Sequence, residues 1–222
     1  MSFDLLAYAR TCQVPAPEAF VARCEELRLF LEEANKSVNL TRVTGKEDFD
    51  IKHAADSLAI AAMFPELILR PLEIADLGCG AGFPTLILAI AFPHWRITPV
   101  DSTGKKVDFV RRAAEHLQLN NVFPVHGRVN ELNRKIEYKQ RFDVVTARAV
   151  APSDVLAQDA SNFPAADGRF IFYKTPFQAE DEMPRLPKKC KGFFWSSTDV
   201  YDLPEEAGKR LFVIGKRNPS KR

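Results

Sequence analysis

The sequence predicts an α/β protein whose doubly wound sheet has one antiparallel strand near the C-terminus and is preceded by N-terminal helices. Three observations support this prediction. Strand patterns alternate with helical patterns between residues 72 and 173, which is the order of a mainly parallel sheet. The last two strand patterns, 193–201 and 211–215, have no helical pattern between them, so we expect them to pair antiparallel. The region before residue 66 carries helical patterns and a polar connection.

Two N-terminal helices are predicted from their apolar spacing. In the first, at 17–36, apolar positions alternate at intervals of four and three. These positions are Phe20, Cys24, Leu27, Leu31, Ala34 and Val38. A polar connection leads to a second helix at 46–64. No linker rich in Gly, Ser or Pro comes after it, so we expect one domain, 1–222, in which a helical layer, 1–66, lies on a core, 70–222.

The core is expected to begin with a strand at 72–77, a glycine turn and an apolar helix at 85–92, which Pro93 ends. A strand at 97–100 comes next and leads into Asp101. The later elements are, in order, a helix to residue 119 capped by Ser102 or Thr103, a strand at 122–125, a partly helical 128–140, a strand at 142–146, a partly helical 152–163 and a strand at 169–173.

The glycine turn after the first strand has the pattern D-x-G-x-G-x-G, formed by Asp76, Gly78, Gly80 and Gly82. Glycines let the backbone turn where a side chain would block a ligand. A carboxylate from Asp76 beside that ligand disfavours the pyrophosphate of a dinucleotide and suits the sulfonium and ammonium groups of S-adenosylmethionine. Asp101, after the second strand, suits a ribose diol in either case. A nicotinamide or flavin site, and a turn that binds nothing, remain alternatives.

Two cations come directly after strand patterns, at the edge where doubly wound sheets bind ligands. Arg148 comes after the strand FDVVTA, and Lys174 after RFIFY. Because ligands bind beyond the carboxyl ends of parallel strands, both are candidates for the rim of a substrate site. The alternative for each is a solvated strand terminus.

Composition sets further limits on the 222-residue chain. It has 46% hydrophobic residues, which suffices for a core, and no apolar run long enough to span a membrane. The N-terminus lacks the order of a secretion signal, so a cytoplasmic protein is expected. The four cysteines form no C-x-x-C pair and no metal-ligand spacing with the histidines, so we expect no metal site and read Cys79 as a small spacer in the turn.

Basic residues are clustered although the net charge is only +2. Such clusters neutralise phosphates on a polyanion, but they are also typical of a solvated face, and both interpretations stay open. The clusters are Lys105, Lys106, Arg111 and Arg112; Arg134, Lys135, Lys139 and Arg141; Lys188, Lys189 and Lys191; and the tail 216–222.

Five segments together resemble a known family. They are NLTRV (39–43), KHAADSL (52–58), DLGCGAGFP (76–84), VDSTGKKVDFV (100–110) and FDVVTARAVA (142–151). The chain resembles the bacterial small-subunit ribosomal RNA guanine-N7 methyltransferases, the family named for glucose-inhibited division protein B. The resemblance implies a Rossmann-like methyltransferase sheet, S-adenosyl-L-methionine as cofactor and a guanine N7 of 16S ribosomal RNA as the methylated atom. It also implies 16S ribosomal RNA or the small ribosomal subunit as partner, no membrane, and a monomer.

The resemblance, the glycine pattern and the strand-end positions together nominate site residues. The catalytic candidates are Arg148, His53, Asp56 and Lys174, of which His53 and Asp56 lie three apart on one helix face, where a satisfied structural pair is the alternative. The cofactor-binding candidates are Asp76, Gly78, Gly80, Gly82, Phe83, Asp101, Ser102, Thr103, Val129, Asn130 and Arg148. Thr85 and Asn130 stand where the family usually has other residues.

The implied reaction is consistent with the absence of two motifs from the sequence. Methylation of an exocyclic amine usually relies on an N/D-P-P-Y-type motif, and methylation of carbon 5 of a pyrimidine needs a nucleophilic cysteine. Guanine N7 carries a free lone pair, so no base has to remove a proton first. A catalytically silent RNA-binding protein and a small-molecule methyltransferase remain the alternatives.

Overall fold

The N-terminal layer consists of helices that pack on one another and on the sheet. In this computed structural model, which describes residues 3–36, 39–43 and 45–218, α1 spans Leu5–Thr11 and α2 spans Pro17–Asn35. A continuous helical run then comprises α3 (Lys46–Phe49), a π-helical turn (Asp50–Ala55) and α4 (Asp56–Met63). The run agrees with the predicted helix at 46–64, whereas α1 was not predicted. The π-helical turn is a feature that periodicity does not reveal, and such turns are frequent at functional sites.

The apolar face predicted for α2 is buried. Phe20, Cys24, Leu27 and Leu31 all lie in the core, as the alternating spacing requires. Val38, the last position of the predicted face, lies outside the described residues. The buried stripe fixes which side of α2 packs against the rest of the protein.

The eight strands of the described residues form a single mixed sheet in the order β3-β2-β1-β4-β5-β8-β6, with β7 paired to β8. Strands β1 to β5 are all parallel to one another, and β8 runs antiparallel to β5, β6 and β7. The one reversed strand near the C-terminus is the feature that the closing strand patterns predicted. The strands are β1 Leu72–Leu77, β2 Trp95–Asp101, β3 Val125–His126, β4 Phe142–Arg148, β5 Pro164–Lys174, β6 Phe193–Ser197, β7 Tyr201–Asp202 and β8 Lys209–Arg217.

The helices of the core connect these strands. They are α5 Thr85–Ala91, α6 Gly104–His116, α7 Val129–Leu132, α8 Ser153–Asp159, α9 Pro176–Glu182 and α10 Leu186–Lys189. Every residue of α5 is buried, as its apolar sequence predicts. Thr103 occupies the N-cap position of α6, but neither it nor Ser102 supplies the expected side-chain cap.

Two predicted strands differ from the structure. The third is shorter and later than the predicted 122–125, because Val122 makes only an isolated bridge to Ile97. The predicted 193–201 is divided into β6 and β7 by residues 198–200, which are in no strand. Both segments lie at the margins of the sheet, where few neighbouring strands constrain the length of a strand.

The core lies on both faces of the sheet. Alternate side chains of a strand point to opposite faces, so Ile74 belongs to one apolar cluster and Ala75 to the other. The cluster around Ile74 contains buried residues of α1, α2, α4, α5 and α6, and the cluster around Ala75 contains residues of α8, α9 and α10. The N-terminal helices therefore share a core with the sheet.

The strand order reverses between β1 and β4, which both run in the same direction. In a doubly wound sheet the loops at the carboxyl ends of these strands diverge at that point and leave a crevice. The loops that meet there are those after β1, β2, β3 and β4. No helix in the described part of the chain is long and apolar enough to cross a membrane.

Candidate active site

A cavity of about 720 Å³ occupies the crevice where the strand order reverses. That volume lies within the range of about 300–1,000 Å³ that is typical of small-molecule sites. Its walls come from the loops after β1, β2, β3 and β4, from the start of α8 and from two residues that precede α3. The predicted site residues among its lining are His53, Gly78, Gly80, Phe83, Asp101, Ser102, Thr103, Val129, Asn130 and Arg148.

The glycine turn forms the floor of this cavity. The amides of Gly78 and Cys79 donate to the Val100 carbonyl oxygen at 2.7 and 3.1 Å, which ties the turn to the end of β2. Gly78 has a φ of +68°, and a Cβ there would lie 2.5 Å from Val150 Cγ1. Only glycine satisfies the backbone and the space at this position. The turn is therefore fixed from below by β2 and from the side by the loop after β4.

Asp101 connects the glycine turn to the start of α6. Its Oδ2 accepts a hydrogen bond from the Gly80 amide at 3.0 Å, and its Oδ1 accepts one from the Thr103 amide at 2.8 Å. Each carboxylate oxygen has a second lone pair, so Asp101 retains acceptor capacity for a hydroxyl in the cavity. The Gly127 amide donates to the Asp101 backbone oxygen at 3.0 Å, which brings the residues after β3 to the same place.

Asp76 does not lie beside the ligand space, which is where the sequence argument about its charge placed it. It is 1% exposed, does not line the cavity, and accepts a hydrogen bond from Thr85 Oγ1 at 2.6 Å. Its other oxygen, Oδ1, is buried and has no hydrogen-bond partner among the described residues. Burial raises the pKa of Asp76 to about 6, although the Thr85 hydrogen bond and the Arg148 charge act in the opposite direction. The carboxylate lies beneath the turn and not in its wall.

Gly82 is also not part of the cavity lining. It has a φ of +86°, and a Cβ there would lie 2.5 Å from Leu86 Cδ1. Gly82 therefore permits the turn and the close packing of α5 on it, whereas Gly78 and Gly80 face the cavity.

Arg148 joins β4 to the N-terminal layer. Its Nη1 donates to Asp56 Oδ2 and to the Lys52 carbonyl oxygen, both at 3.0 Å. Its Nη2 lies 3.3 Å from His53 Nδ1. These partners belong to the π-helical turn and the first residue of α4, so one guanidinium organises the whole edge of the layer. Arg148 lines the cavity and keeps 13% of its side chain exposed.

The rings of His53 and Phe83 stack on each other beside Arg148, whose guanidinium carbon lies 5.7 Å from the centre of the Phe83 ring. Their rings are 3.9 Å apart and 5° from parallel. Burial, reinforced by the Arg148 charge, lowers the pKa of His53 to about 3. His53 is therefore neutral at physiological pH, and its Nε2 lies 3.3 Å from Thr41 Oγ1. A neutral imidazole held at both nitrogens is suited to positioning and not to carrying charge.

Asp56 lies behind Arg148, outside the cavity lining. Only 6% of its side chain is exposed, and its Oδ1 lies 3.3 Å from Arg210 Nε. The shared helix face predicted for His53 and Asp56 is thus used to hold Arg148. Asp56 balances the charge of the guanidinium, so that the wall does not present an uncompensated positive charge.

Lys174 was predicted to be a cation at the rim of the site. Its burial corrects this prediction. Lys174 does not line the cavity, and its side chain is 5% exposed. Its Nζ lies 3.0 Å from Glu182 Oε2 and donates to the Ala151 carbonyl oxygen at 2.8 Å. The helix α9, which begins two residues later, supplies Glu182 and covers the lysine. Lys174 supports the loop after β4 from behind.

Several lining residues were missed by sequence reasoning. Thr41 belongs to NLTRV, a segment of the family resemblance, and that signal could have placed it in the site. Ala149 has a φ of +56°, which no alanine pattern predicts, and it directs Val150 over the glycine turn. The lining residues that were not nominated as site residues are Leu40, Thr41, Cys79, Ala81, Val100, Lys106, Gly127, Arg128, Ala149, Val150, Ala151, Val155, Leu156 and Asp159.

Two observations limit the chemistry of the cavity. Burial raises the pKa of the Cys79 thiol well above its usual range, so this lining residue is not a ready nucleophile. Within residues 3–36, 39–43 and 45–218, no group of three or more His, Cys, Asp or Glu side chains is arranged to hold a metal ion. The cavity offers hydrogen-bond acceptors and the stacked rings of His53 and Phe83.

The residues present fit S-adenosylmethionine. The turn is open at Gly80, which lines the cavity, because a Cβ there would meet no atom nearer than the Gly78 carbonyl oxygen at 3.9 Å. Asp101 offers acceptors for a ribose diol, and Asp76 Oδ1 is a buried carboxylate oxygen without a partner among the described residues. A buried, unpaired anionic oxygen favours a cationic ligand nearby over an anionic one.

The fold is shared with solved methyltransferases. The O-methyltransferase from Bacillus cereus, crystallised with SAH, matches with a TM-score of 0.59 at 15% identity, over 89% of this chain and 91% of that chain. The ribosomal protein L11 methylase from Lactobacillus delbrueckii subsp. bulgaricus matches with a TM-score of 0.56 at 15% identity, over 78% and 80%. At these identities the likeness shows the fold, which is the Rossmann-like fold that these methyltransferases share.

The family is established by sequence similarity. The model of the GidB family, described as rRNA small subunit methyltransferase G, matches residues 22–205. Two curated proteins from Staphylococcus aureus, strains bovine RF122 and Newman, are each called ribosomal RNA small subunit methyltransferase G. Each is 36% identical to this chain over 189 residues, which is 84% of this chain and 78% of the relative. The chain belongs to the GidB family of methyltransferases.

Proposed function

We propose that this protein transfers the methyl group of S-adenosylmethionine to N7 of a guanine in 16S ribosomal RNA. One observation carries the proposal: the GidB family match spans both the glycine turn and the Arg148 cluster that meet in the cavity. The choice of N7 comes from the family resemblance and from the chemistry of the cavity wall.

The cavity wall suits an acceptor that needs no deprotonation. His53 is neutral and held at both nitrogens, and the Cys79 thiol is protonated. Asp101 already accepts two backbone hydrogen bonds. Guanine N7 brings its own lone pair. When bound, S-adenosylmethionine supplies a methyl carbon on a cationic sulfur, and transfer to N7 leaves a neutral thioether. The protein's task is then to position the two reactants, an effect worth about 7–11 kcal/mol.

The cofactor contacts that we propose are the cavity-lining residues of the first three strand ends. Gly78, Gly80 and Phe83 would hold the methionine side, and Asp101 to Thr103 the ribose. Val129 and Asn130 would hold the adenine, at the start of α7. Asp76 would act from below the turn through its unpaired oxygen, with no direct place in the wall.

The acceptor side that we propose is built on Arg148. With Asp56 balancing its charge, Arg148 can approach the cationic sulfur at little electrostatic cost while its exposed edge contacts the guanine. His53 and Phe83, which both line the cavity, would border the base on the side of Arg148. Extracting that base from its RNA costs on the order of a few kcal/mol, which stacking and phosphate contacts offset.

We also propose how the chain is organised and where it acts. The N-terminal helices and the sheet share one apolar cluster, which supports a single domain, 1–222, with a helical layer, 1–66, on a methyltransferase core, 70–222. Action as a monomer is part of the same proposal. A substrate in 16S ribosomal RNA or the small ribosomal subunit places this work in the cytoplasm.

The proposed function is tested by mass mapping of 16S ribosomal RNA from cells that lack the protein. We expect one guanine methylation to be missing, to return with the wild-type protein, and to stay missing with Arg148→Ala. Purified protein should transfer labelled methyl from the donor to that RNA, with activity that falls steeply as salt rises. Binding of donor and RNA without transfer would identify a silent RNA-binding protein. Salt-insensitive turnover on a small molecule would identify the other alternative.

A further inference from the structure

An exposed aromatic side chain lies at the same edge of the sheet as the cavity. Phe177 is 81% exposed and belongs to the first turn of α9, three residues after Lys174, the last residue of β5. Within the described residues it has no ring or cation partner. Leu69 and Ile136 are equally exposed, but they precede β1 and β4 and so belong to the opposite edge. Phe177 is thus an exposed apolar side chain at the carboxyl edge of the sheet, the edge at which the cavity lies.

The backbone around Phe177 is tied to the cavity wall. Tyr173, in β5, pairs with Arg148 in β4, and Lys174 Nζ donates to the carbonyl oxygen of Ala151, a lining residue. At the other end of α9, Glu182 Oε2 accepts from the Ser153 amide at 2.8 Å and from Ser153 Oγ at 2.6 Å. Because three residues span at most about 11 Å, the backbone of Phe177 lies within that distance of Lys174, whose ammonium group contacts the wall.

The start of α9 is also held locally. The Gln178 amide donates to Thr175 Oγ1 at 3.2 Å, and the Thr175 amide donates to Gln178 Oε1 at 3.0 Å. This reciprocal capping orders the first turn, so little backbone freedom is lost when Phe177 meets a partner. An ordered aromatic side chain is the kind of platform on which proteins stack unpaired bases.

The acidic residues of α9 are only partly paired. Asp181 pairs with Arg185 and Glu182 with Lys174, whereas Glu180 is exposed. The ring of Phe177 is then the feature that an unpaired base can recognise, because every base has a π-face that stacks on an aromatic side chain.

We propose that Phe177 is a stacking platform for an unpaired base that flanks the target guanine in the RNA. This inference rests on the proposed function and deepens it, since it assigns a second contact for the same RNA. The target base would enter the cavity beside Arg148, and the flanking base would stack outside the wall formed by residues 149–153. Phe177 would thereby hold the strand while the target is extruded.

The test compares the kinetics of methyl transfer to 16S ribosomal RNA, and separately to the small subunit, by wild type and Phe177→Ala. We expect kcat/KM for RNA to fall about 5- to 100-fold, mainly through KM, because a base–aromatic stack has that value. The dissociation constant of S-adenosylmethionine, measured by calorimetry, should stay within twofold. Phe177→Trp should restore kcat/KM, and Phe177→Leu should not.

The matched control is Phe194→Ala. Phe194 is 60% exposed, but it lies in β6 opposite Lys216, which pairs with Arg169 near the amino end of the parallel strands. Its loss should leave kcat/KM unchanged. Lost stacking should also leave the slope of log affinity against log salt unchanged, whereas a lost phosphate contact would lower it by about one.

Three outcomes would overturn the inference. The first is Phe177→Ala turning over RNA within twofold of wild type, which leaves the proposed function standing. The second is an equal loss in Phe194→Ala, which would indicate a general surface effect. The third is a wild type that methylates neither RNA, in which case the proposed function fails and this inference fails with it.

Discussion

Two buried ion pairs at neighbouring strand ends have different surroundings although their sequences look alike. Arg148 ends β4 and pairs with Asp56, and Lys174 ends β5 and pairs with Glu182. Arg148 keeps 13% of its side chain exposed and lines the cavity, whereas Lys174 keeps 5% and lines nothing. The same strand-end position thus gives one residue that faces the ligand site and one that supports it.

The difference arises from the segment that comes after each strand. After Arg148 the chain continues as a loop through Ala149, whose φ of +56° turns it across the glycine floor and leaves the guanidinium uncovered on one side. After Lys174 a capped helix begins within two residues and carries Glu182 back over the ammonium group. A cation at a strand end is therefore a candidate for the site only when no helix returns over it. Variants at the glycine turn and Arg148, and a variant at Lys174, can test this contrast.

The largest effect is expected from Gly78→Val, which would disrupt the glycine turn and the loop after Arg148 that packs on it. A Cβ at Gly78 would lie 2.5 Å from Val150 Cγ1, and a φ of +68° is strained for a β-branched residue. Donor binding measured by calorimetry should be abolished. Gly192→Val is the control, because nothing lies within 4 Å of a Cβ there, and its donor affinity should match wild type. Unchanged affinity in Gly78→Val would place the donor site elsewhere.

Arg148→Ala should lower turnover on 16S ribosomal RNA by about 100-fold or more, and the fold should persist because Asp56 keeps Arg210 as a cationic partner. The guanidinium is expected to position the base, and positioning errors of about 1 Å can cost that factor. The measurement is labelled-methyl transfer together with thermal denaturation. Arg210→Ala is the matched control, because Arg210 also contacts Asp56, at 3.3 Å, but does not line the cavity. Full turnover in Arg148→Ala would rule out the role.

Lys174→Ala should show the opposite balance, with a large loss of stability and a smaller loss of turnover. The substitution leaves Glu182 buried without its cation, which costs about 3–5 kcal/mol when one partner of a buried pair is removed. Urea unfolding gives the free energy, and methyl transfer gives the activity of the folded fraction. A turnover loss as large as that of Arg148→Ala with unchanged stability would contradict the contrast between the two strand ends.

Asp76→Asn should stabilise the protein without ligand but weaken donor binding. The pKa of Asp76 is raised from 3.8 to about 6 in the folded state, so the folded state binds a proton more strongly than the unfolded state. Stability must therefore fall as pH rises from about 4 to 6, by on the order of 2–3 kcal/mol in total, and stay lower above pH 6. Asparagine removes this cost and keeps an acceptor for the Thr85 hydroxyl.

The measurement for Asp76→Asn is urea unfolding of both proteins at several pH values, with calorimetry of donor binding at pH 7. The stability gain should be present at pH 7 and vanish near pH 3, where both states of the wild-type carboxyl are protonated. A variant that is less stable than wild type at pH 7 would mean that the carboxylate is better paired than its unpartnered Oδ1 indicates.

Much of the fold could be predicted because its signals are local. The strand at 72–77 and the helix beginning at 85 coincide with β1 and α5, since glycine and proline punctuate that stretch and its apolar residues leave no exposed face. The third strand was misplaced, because a two-residue strand has no periodicity to read and depends on pairing with β2. The helix α1 was missed for a similar reason, since seven residues give a weak pattern.

The site was predictable only where its residues are placed by the chain direction. The ends of successive parallel strands share one edge, so Gly78, Asp101 and Arg148 were placed together by the strand order alone. Asp76 and Gly82 belong to the same motif but face the interior, because successive residues of a strand or turn point in different directions. A motif identifies the site without deciding which of its members touch the ligand.

By itself the sequence determined most elements of the sheet, the glycine turn and the edge at which the strand-end loops meet, because backbone preference and apolar periodicity act over a few residues. Only the tertiary structure decided that the Arg148 side chain lines the cavity and that the Lys174 side chain is covered. Their partners lie in segments that meet only on folding: Asp56 comes from the N-terminal layer, and the Glu182 that covers Lys174 also binds Ser153 across the loop after β4. The exposure of a charged side chain depends on such long-range packing, since a charge is stably buried only where an opposite charge arrives from another part of the chain.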